Sequence, residues 1–233
     1  MLPQLDYEGQ RKINQSSVLI IGAGGLGSPV ALYLASSGVG KINIADFDQV
    51  ELSNLQRQII HSTNDIGHDK VDSAKQKLKA INPETDVVTI NHKLDEEELR
   101  EYVKSCDAVI EASDNFESRF LTNRICVEEK TPLISGSAIR FEGQLSTFRL
   151  DQKDSPCYHC LFKESEEATE TCTQSGVFSP IVGVIGSLQA CEALKVLANI
   201  GDNSSGKLLL FDALKMKWKE LTFKKDPECG ICN

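Results

Sequence analysis

No run in the sequence approaches the roughly 20 continuous apolar residues that a membrane helix needs. Met1-Leu2-Pro3-Gln4-Leu5-Asp6 has none of the basic-then-apolar layout of a secretory leader. These two absences leave no membrane span or signal peptide to expect, and a cytoplasmic protein is the expectation. A basic excess is missing too: 25 Lys and Arg stand against 34 Asp and Glu, a formal charge of -9. A phosphate backbone would be repelled by that balance unless the cations clustered tightly, so a long nucleic-acid footprint is not expected. Internal repeats and low-complexity tracts are absent, as is any evident Ser-His-Asp or paired-carboxylate constellation.

What is present is apolar material for one core, 40% of 233 residues, which suits a single domain. An acidic surface is compatible with a protein or a small-molecule partner. Eight cysteines without a secretion signal point to metal ligands, reactive thiols or buried small hydrophobes rather than to disulfides. Cys157 and Cys160 form one C-x-x-C and Cys229 and Cys232 another, while Cys106, Cys126 and Cys191 fall in apolar periodic segments and read as core.

Along the chain, the apolar run at 18–21 ends in glycines and is followed by a helical pattern at 29–37, giving strand, tight turn, helix. Strands are then expected at 41–46, 87–91, 108–111 and 132–135, separated by helices at 70–80, 96–105 and 119–129. This alternation predicts right-handed crossovers and a Rossmann-like, doubly wound, mostly parallel α/β sheet. Beyond Gly136 the rhythm changes. Residues 143–150 alternate like a half-exposed strand, and 207–212 with 218–223 read as a hairpin or mixed-sheet pair. Residues 163–176 are rich in Glu, Ser and Thr and read as a mobile loop that carries Cys172.

Gly22-Ala23-Gly24-Gly25-Leu26-Gly27 matches G-x-G-x-x-G between a strand and a helix, where glycines let phosphates approach the helix N-terminus. Asp46 lies 19 residues beyond Gly27, at the end of the second strand, where an acid can bind ribose hydroxyls. The turn does not choose between NAD and ATP. Asn54, Arg57 and Lys70 favour ATP, because a triphosphate needs cations that a nicotinamide site does not. Singly, each is equally readable as a solvated surface residue. Asp114 by itself is readable as the N-cap of the helix that follows it. Two C-x-x-C pairs 69 residues apart suggest a tetrahedral four-cysteine zinc site, each pair clipping one edge of the ion. Such a site is structural and would anchor the C-terminal tail.

Ser53-Asn54-Leu55-Gln56-Arg57-Gln58, the glycine turn, Asp46-Phe47-Asp48, Ser113-Asp114-Asn115, the segment 183–190 and the two C-x-x-C pairs together carry a resemblance. From about Gln10 to its C-terminus the chain resembles the MoeB/ThiF/HesA family. That resemblance implies a homodimer that uses ATP to adenylylate the C-terminal Gly-Gly of a ubiquitin-like sulfur carrier, of MoaD type in molybdopterin synthesis or of ThiS type in thiazole synthesis. It implies that Gly22, Gly24, Gly25, Gly27 and Asp46 hold the nucleotide, that Asn54, Arg57 and Lys70 handle its phosphates, and that Asp114 holds Mg2+. It also implies one adenylation domain over 1–233, with a nucleotide-binding half at 1–136 and a carrier-binding and zinc half at 137–233. Cys172 matches in position a family cysteine that joins covalently to the carrier, and is equally readable as an ordinary exposed thiol. Glu164, Glu166, Glu167 and Glu170 around it would raise a thiol pKa, against an activated nucleophile.

Ser137-Ala138-Ile139-Arg140-Phe141-Glu142-Gly143-Gln144 and Phe211-Asp212-Ala213 look closer to the MoeB side, which favours a MoaD-type carrier over ThiS. Family members usually carry an Arg-Tyr-x-Arg-Gln segment ahead of the point matching Met1-Leu2-Pro3. The chain starts after it, so the expectation is a start placed late or a weakened activity. Two readings of other classes stand beside this one: an NAD oxidoreductase, and a non-catalytic dimeric scaffold that binds a carrier.

Overall fold

The computed structural model describes residues 2–163 and 176–233. The chain opens with helix α1 (Asp6–Gln15), strand β1 (Ser17–Ile21), helix α2 (Gly27–Ser36) and strand β2 (Lys41–Ala45). It continues with α3 (Lys70–Ile81), β3 (Asp86–Ile90), α4 (Glu96–Lys104), β4 (Ala108–Glu111), α5 (Phe116–Glu129) and β5 (Leu133–Ile139). Then come β6 (Glu142–Phe148), a short α6 (Tyr158–Leu161), α7 (Ser179–Ala198), β7 (Lys207–Asp212) and β8 (Lys217–Thr222).

Among the described residues, eight strands join one sheet in the order β3-β2-β1-β4-β5-β6-β7-β8. The pairs from β3 to β5 are parallel, and those from β5 to β8 antiparallel. The expected doubly wound sheet, passing into a mixed one, is therefore the observed architecture. Parallel strands covered on both faces read as continuous apolar runs, and successive side chains point to opposite layers. Val18 and Ile20 pack with Val30 and Leu34 of α2, Val71 of α3 and Ala190 of α7. Leu19 and Val109 face the other way, onto Leu99 and Val103 of α4 and Ile125 and Cys126 of α5. A one-residue slip of β1 would exchange the two layers, so burial fixes the register.

Besides the one-turn α6, two helices lie where the sequence pattern gave none. In α1 only Gly9 and Ile13 are buried, too few anchors to leave an apolar stripe. α7 has the opposite problem. It is apolar nearly all round because it packs against α2, β5 and β6, which erases the 3.6-residue signal. Among the described residues it is also the one helix long and apolar enough to cross a membrane by length and composition, but more than half of it is buried within the fold. Cys106 and Cys126 are buried as expected, whereas Cys191 on α7 is exposed and does not belong to the core. Beyond β7, the hairpin to β8 leaves β8 exposed along its length, with Trp218 stacked on Phe211 at 4.6 Å.

Candidate active site

The sheet order reverses between β1 and β4, so the loops leaving their C-terminal ends run in opposite directions and open a crevice. A cleft of about 290 Å³ lies there. Gly22 and Gly24 of the β1–α2 turn, Asp46 and Asp48 after β2, Arg57, Lys70, and Ser113 to Asn115 after β4 all line it. Ile21, Ala45, Phe47, Leu94, Leu99 and Leu121 add an apolar wall.

The four glycines of the turn differ in what they make room for. Gly22 has φ +100°, in the left-handed region where a side chain is strained, and a Cβ there would lie 2.8 Å from the Ala112 carbonyl oxygen. At Gly27 a Cβ would meet the Gly22 carbonyl oxygen at 1.9 Å, and at Gly25 it would meet Val182 Cγ2 at 2.9 Å. Gly24 is unlike these: the nearest atom to its Cβ position is Gln58 Nε2, at 3.5 Å. Gly25 and Gly27 thus serve packing, whereas Gly24 lines the cleft with room to spare.

Asp46 holds the turn from the next strand, its Oδ2 accepting from the Ala23 N–H at 2.8 Å and its Oδ1 from Asp48 N–H at 2.9 Å. Burial raises the Asp46 pKa, with the Lys70 charge and these N–H groups opposing it. His61 holds the same turn from behind. Its Nε2 lies 3.0 Å from the Ala23 carbonyl and its Nδ1 2.8 Å from Ser73 Oγ. The carbonyl can only accept, so Nε2 carries the proton, and burial keeps the imidazole below its ordinary pKa. Neither His61 in this role nor the buried Gln58 beside Gly24 is singled out by the sequence as a site residue. Gln58 closes the Ser53–Gln58 motif, whereas nothing in the letters around His61 marks it.

The cations reach the cleft with partners. Lys70 Nζ is nearly buried and sits 2.7 Å from Asp48 Oδ2 and 4.0 Å from Asp46 Oδ1. The Asp48 side chain is 56% exposed, so it can move aside and leave the ammonium to an entering anion. Arg57 Nη2 donates to Asn54 Oδ1 at 2.7 Å. Asn54 is not on the cleft wall; it orients Arg57 instead. Asp114 is on the wall, and the capping reading of it is overturned. The N-cap of α5 is Asn115, whose Oδ1 accepts from the Ser118 N–H at 2.8 Å.

The four cysteines of the C-x-x-C pairs converge away from the cleft. Their sulfur atoms all lie within 4.8 Å of one another, with Cys157–Cys160 at 3.9 Å, Cys157–Cys229 at 3.7 Å and Cys160–Cys232 at 3.5 Å. A tetrahedron with Zn–S near 2.3 Å has edges of roughly 3.8 Å, so the donor set fits one such ion. Without a cation the thiols resist common ionisation. Burial and then the Cys160 charge push Cys157 up to about 11. At Cys229 burial also acts upward, but hydrogen bonds from the Ile231 and Cys232 N–H groups and from the Cys232 and His159 side chains together outweigh it and hold the thiol at about 6. Cys172 and the acidic residues beside it lie outside the described residues.

The sheet and its cleft define a nucleotide-binding α/β protein of the doubly wound class. Comparison with known proteins narrows this. The ThiF family model matches residues 1–231, and the chain belongs to that family. It is 44% identical over 232 residues to the molybdopterin-synthase adenylyltransferase of Escherichia coli K12, covering all of this chain and 93% of that one. To the sulfur carrier protein adenylyltransferase of Thermus thermophilus it is 41% identical over 237 residues, covering all of this chain and 88% of the relative. Among solved structures, Escherichia coli MccB with ATP superposes with a TM-score of 0.86 at 26% identity, covering 97% of this chain and 68% of MccB.

Proposed function

We propose that the chain adenylylates the C-terminal carboxylate of a ubiquitin-like sulfur carrier ending in Gly-Gly, with ATP as the adenylyl donor. The observation that carries this reading is the cleft at the strand-order reversal, where the open face of Gly24 meets Lys70, Arg57 and Asp114. The names of two relatives, at 44% and 41% identity, support it.

The residue types suit the reaction. A C-terminal carboxylate has a pKa of roughly 3.3–3.7, so the nucleophile is already ionised at pH 7 and needs no general base. A carboxylate oxygen bonds to the α-phosphorus of ATP, the bond from that phosphorus to the bridging oxygen breaks, and pyrophosphate leaves with the electron pair. The barrier is charge, since an anion attacks a polyanion. Asp46 accepts from the ribose hydroxyls, the glycine turn brings backbone N–H groups to the phosphates, and Arg57 and Lys70 neutralise and align them. The Asp114 carboxylate, a hard oxygen donor on the cleft wall, would hold Mg2+, which when bound supplies further charge neutralisation.

In this reading residues 1–136 bind nucleotide, and 137–233 bind the carrier and a structural zinc on Cys157, Cys160, Cys229 and Cys232. The assembly is a cytoplasmic homodimer. Its support here is the α7 face of Gly183, Val184, Ser187, Leu188 and Cys191, mainly apolar and only partly covered within one chain. A MoaD-type carrier is the first candidate. ATP–pyrophosphate exchange measured separately with MoaD-type and ThiS-type carriers tests the proposal: exchange stimulated by a carrier is expected. Exchange with neither carrier, from protein that is folded and metal-loaded, would overturn it.

A further inference from the structure

Ser113 and Asp114 follow the buried end of β4, and the peptide groups of Ser113 are held from two sides. Glu111 Oε1 accepts from the Ser113 N–H at 2.8 Å. Arg119, one turn into α5, donates from Nη2 to the Ser113 carbonyl oxygen at 2.7 Å. Both side chains are buried, Glu111 completely. Buried charges are expensive and persist only where paired and hydrogen-bonded. Burial raises the Glu111 pKa, and the Arg119 charge and the hydrogen bonds from Ser113 only partly offset it. Each makes a hydrogen bond with the same residue. Gln189 of α7 anchors the strand end beneath them, its Nε2 donating to the Glu111 carbonyl at 2.8 Å. The Phe116 ring lies under the Arg119 guanidinium at 5.8 Å. Oriented charge at an active site must be held within fractions of an ångström, and loops alone do this poorly.

We infer that Glu111 and Arg119 are positioning residues for the adenylylation reaction: together they clamp the Ser113 peptide and so fix where the Asp114 carboxylate stands in the cleft. Neither has to touch substrate. The inference rests on the proposed role of Asp114, and the two can fail separately.

The test compares Arg119→Lys, Arg119→Met and Asp114→Asn with the wild-type full chain, using carrier-dependent ATP–pyrophosphate exchange titrated with Mg2+. Arg119→Met should lower kcat roughly ten- to a hundredfold, with the KM for the carrier within about twofold and the half-saturating Mg2+ concentration raised. Arg119→Lys, which keeps the charge and one donor, should recover part of the loss. Independently of activity and without added metal, hydrogen exchange of the 111–116 segment should be slow in the wild type and faster in Arg119→Lys. Wild-type kcat and Mg2+ dependence in a folded Arg119→Met would overturn the clamp, provided that Asp114→Asn is inactive. An active Asp114→Asn would instead remove the role of Asp114. If Arg119→Met does not fold, the exchange measurement decides: fast exchange of the 111–116 segment in the wild type overturns the proposal.

Discussion

Gly24 and Gly27 offer a way to separate the fold of the glycine turn from its use. Replacing Gly27 by Ala places a methyl 1.9 Å from the Gly22 carbonyl oxygen, a backbone atom that cannot swing away. Overpacking of that kind costs about 3 kcal/mol or more. At about 2–4 °C per kcal/mol for a chain of this size, the melting temperature should fall by roughly 6–12 °C. Replacing Gly24 by Ala meets only Gln58 Nε2 at 3.5 Å, an ordinary contact, and its φ lies outside the left-handed region. The loss of unfolded-state freedom should then stabilise the chain by about 0.4–1 kcal/mol, or about 1–4 °C. That same methyl stands where the phosphates are proposed to pass, and a clash of about 1.4 kcal/mol or more weakens binding tenfold or more. Thermal unfolding and calorimetric titration with ATP and Mg2+ on the two variants read both effects. A Gly24→Ala protein that binds ATP as tightly as the wild type would refute the phosphate path through this turn.

Stripping the four-cysteine cluster with a chelator, or replacing Cys229 by Ser, should lower the melting temperature and loosen the C-terminal tail without removing a chemical step; metal analysis of fresh protein should find one zinc per chain. Because burial sets the folded-state pKa of His61 below its ordinary value, its contribution to stability is complete above pH 6.5 and is lost as pH falls through the lowered value. Melting temperature followed from pH 7.5 down to 5 should therefore decline more steeply in the wild type than in His61→Gln, and identical slopes would count against the buried neutral imidazole. Cys172→Ala should leave pyrophosphate exchange near wild type, since a thiol adds nothing to phosphate charge stabilisation, while any covalent carrier adduct should disappear with it; an adduct mapped by mass spectrometry to Cys106, Cys126 or Cys191 would contradict that assignment.

β1 and β4, in the middle of the sheet, were legible because burial on both faces gives each an apolar run, and the turn between β1 and α2 announces itself by its cluster of glycines, of which Gly22 and Gly27 leave no room for a side chain. The cysteine cluster was legible for a different reason: metal-ligand spacing is a local pattern even when the two pairs are far apart in the chain. α7 was hidden by its own burial, which fills nearly every face with apolar side chains. Cys191 looked like core for the same reason. Asp114 and Asn115 are neighbours and both good capping residues, so composition alone could not say which caps α5. His61, Glu111 and Arg119 are isolated letters whose meaning comes from partners outside their own element, His61 with Ala23 across 38 residues, Glu111 with the Ser113 N–H two residues on and Arg119 with the Ser113 carbonyl six residues before it. No spacing rule reports such pairs.

The most direct measurement is the intact mass of a Gly-Gly carrier after incubation with this protein, ATP and Mg2+, quenched quickly in acid. The proposed adenylyl transfer requires a carrier heavier by one adenylyl group, mapped to the terminal glycine and absent when that glycine is removed or when Asp114→Ala replaces the wild type. A carrier of unchanged mass, in the presence of protein that binds ATP normally, would contradict the proposal that this cleft activates a carboxylate.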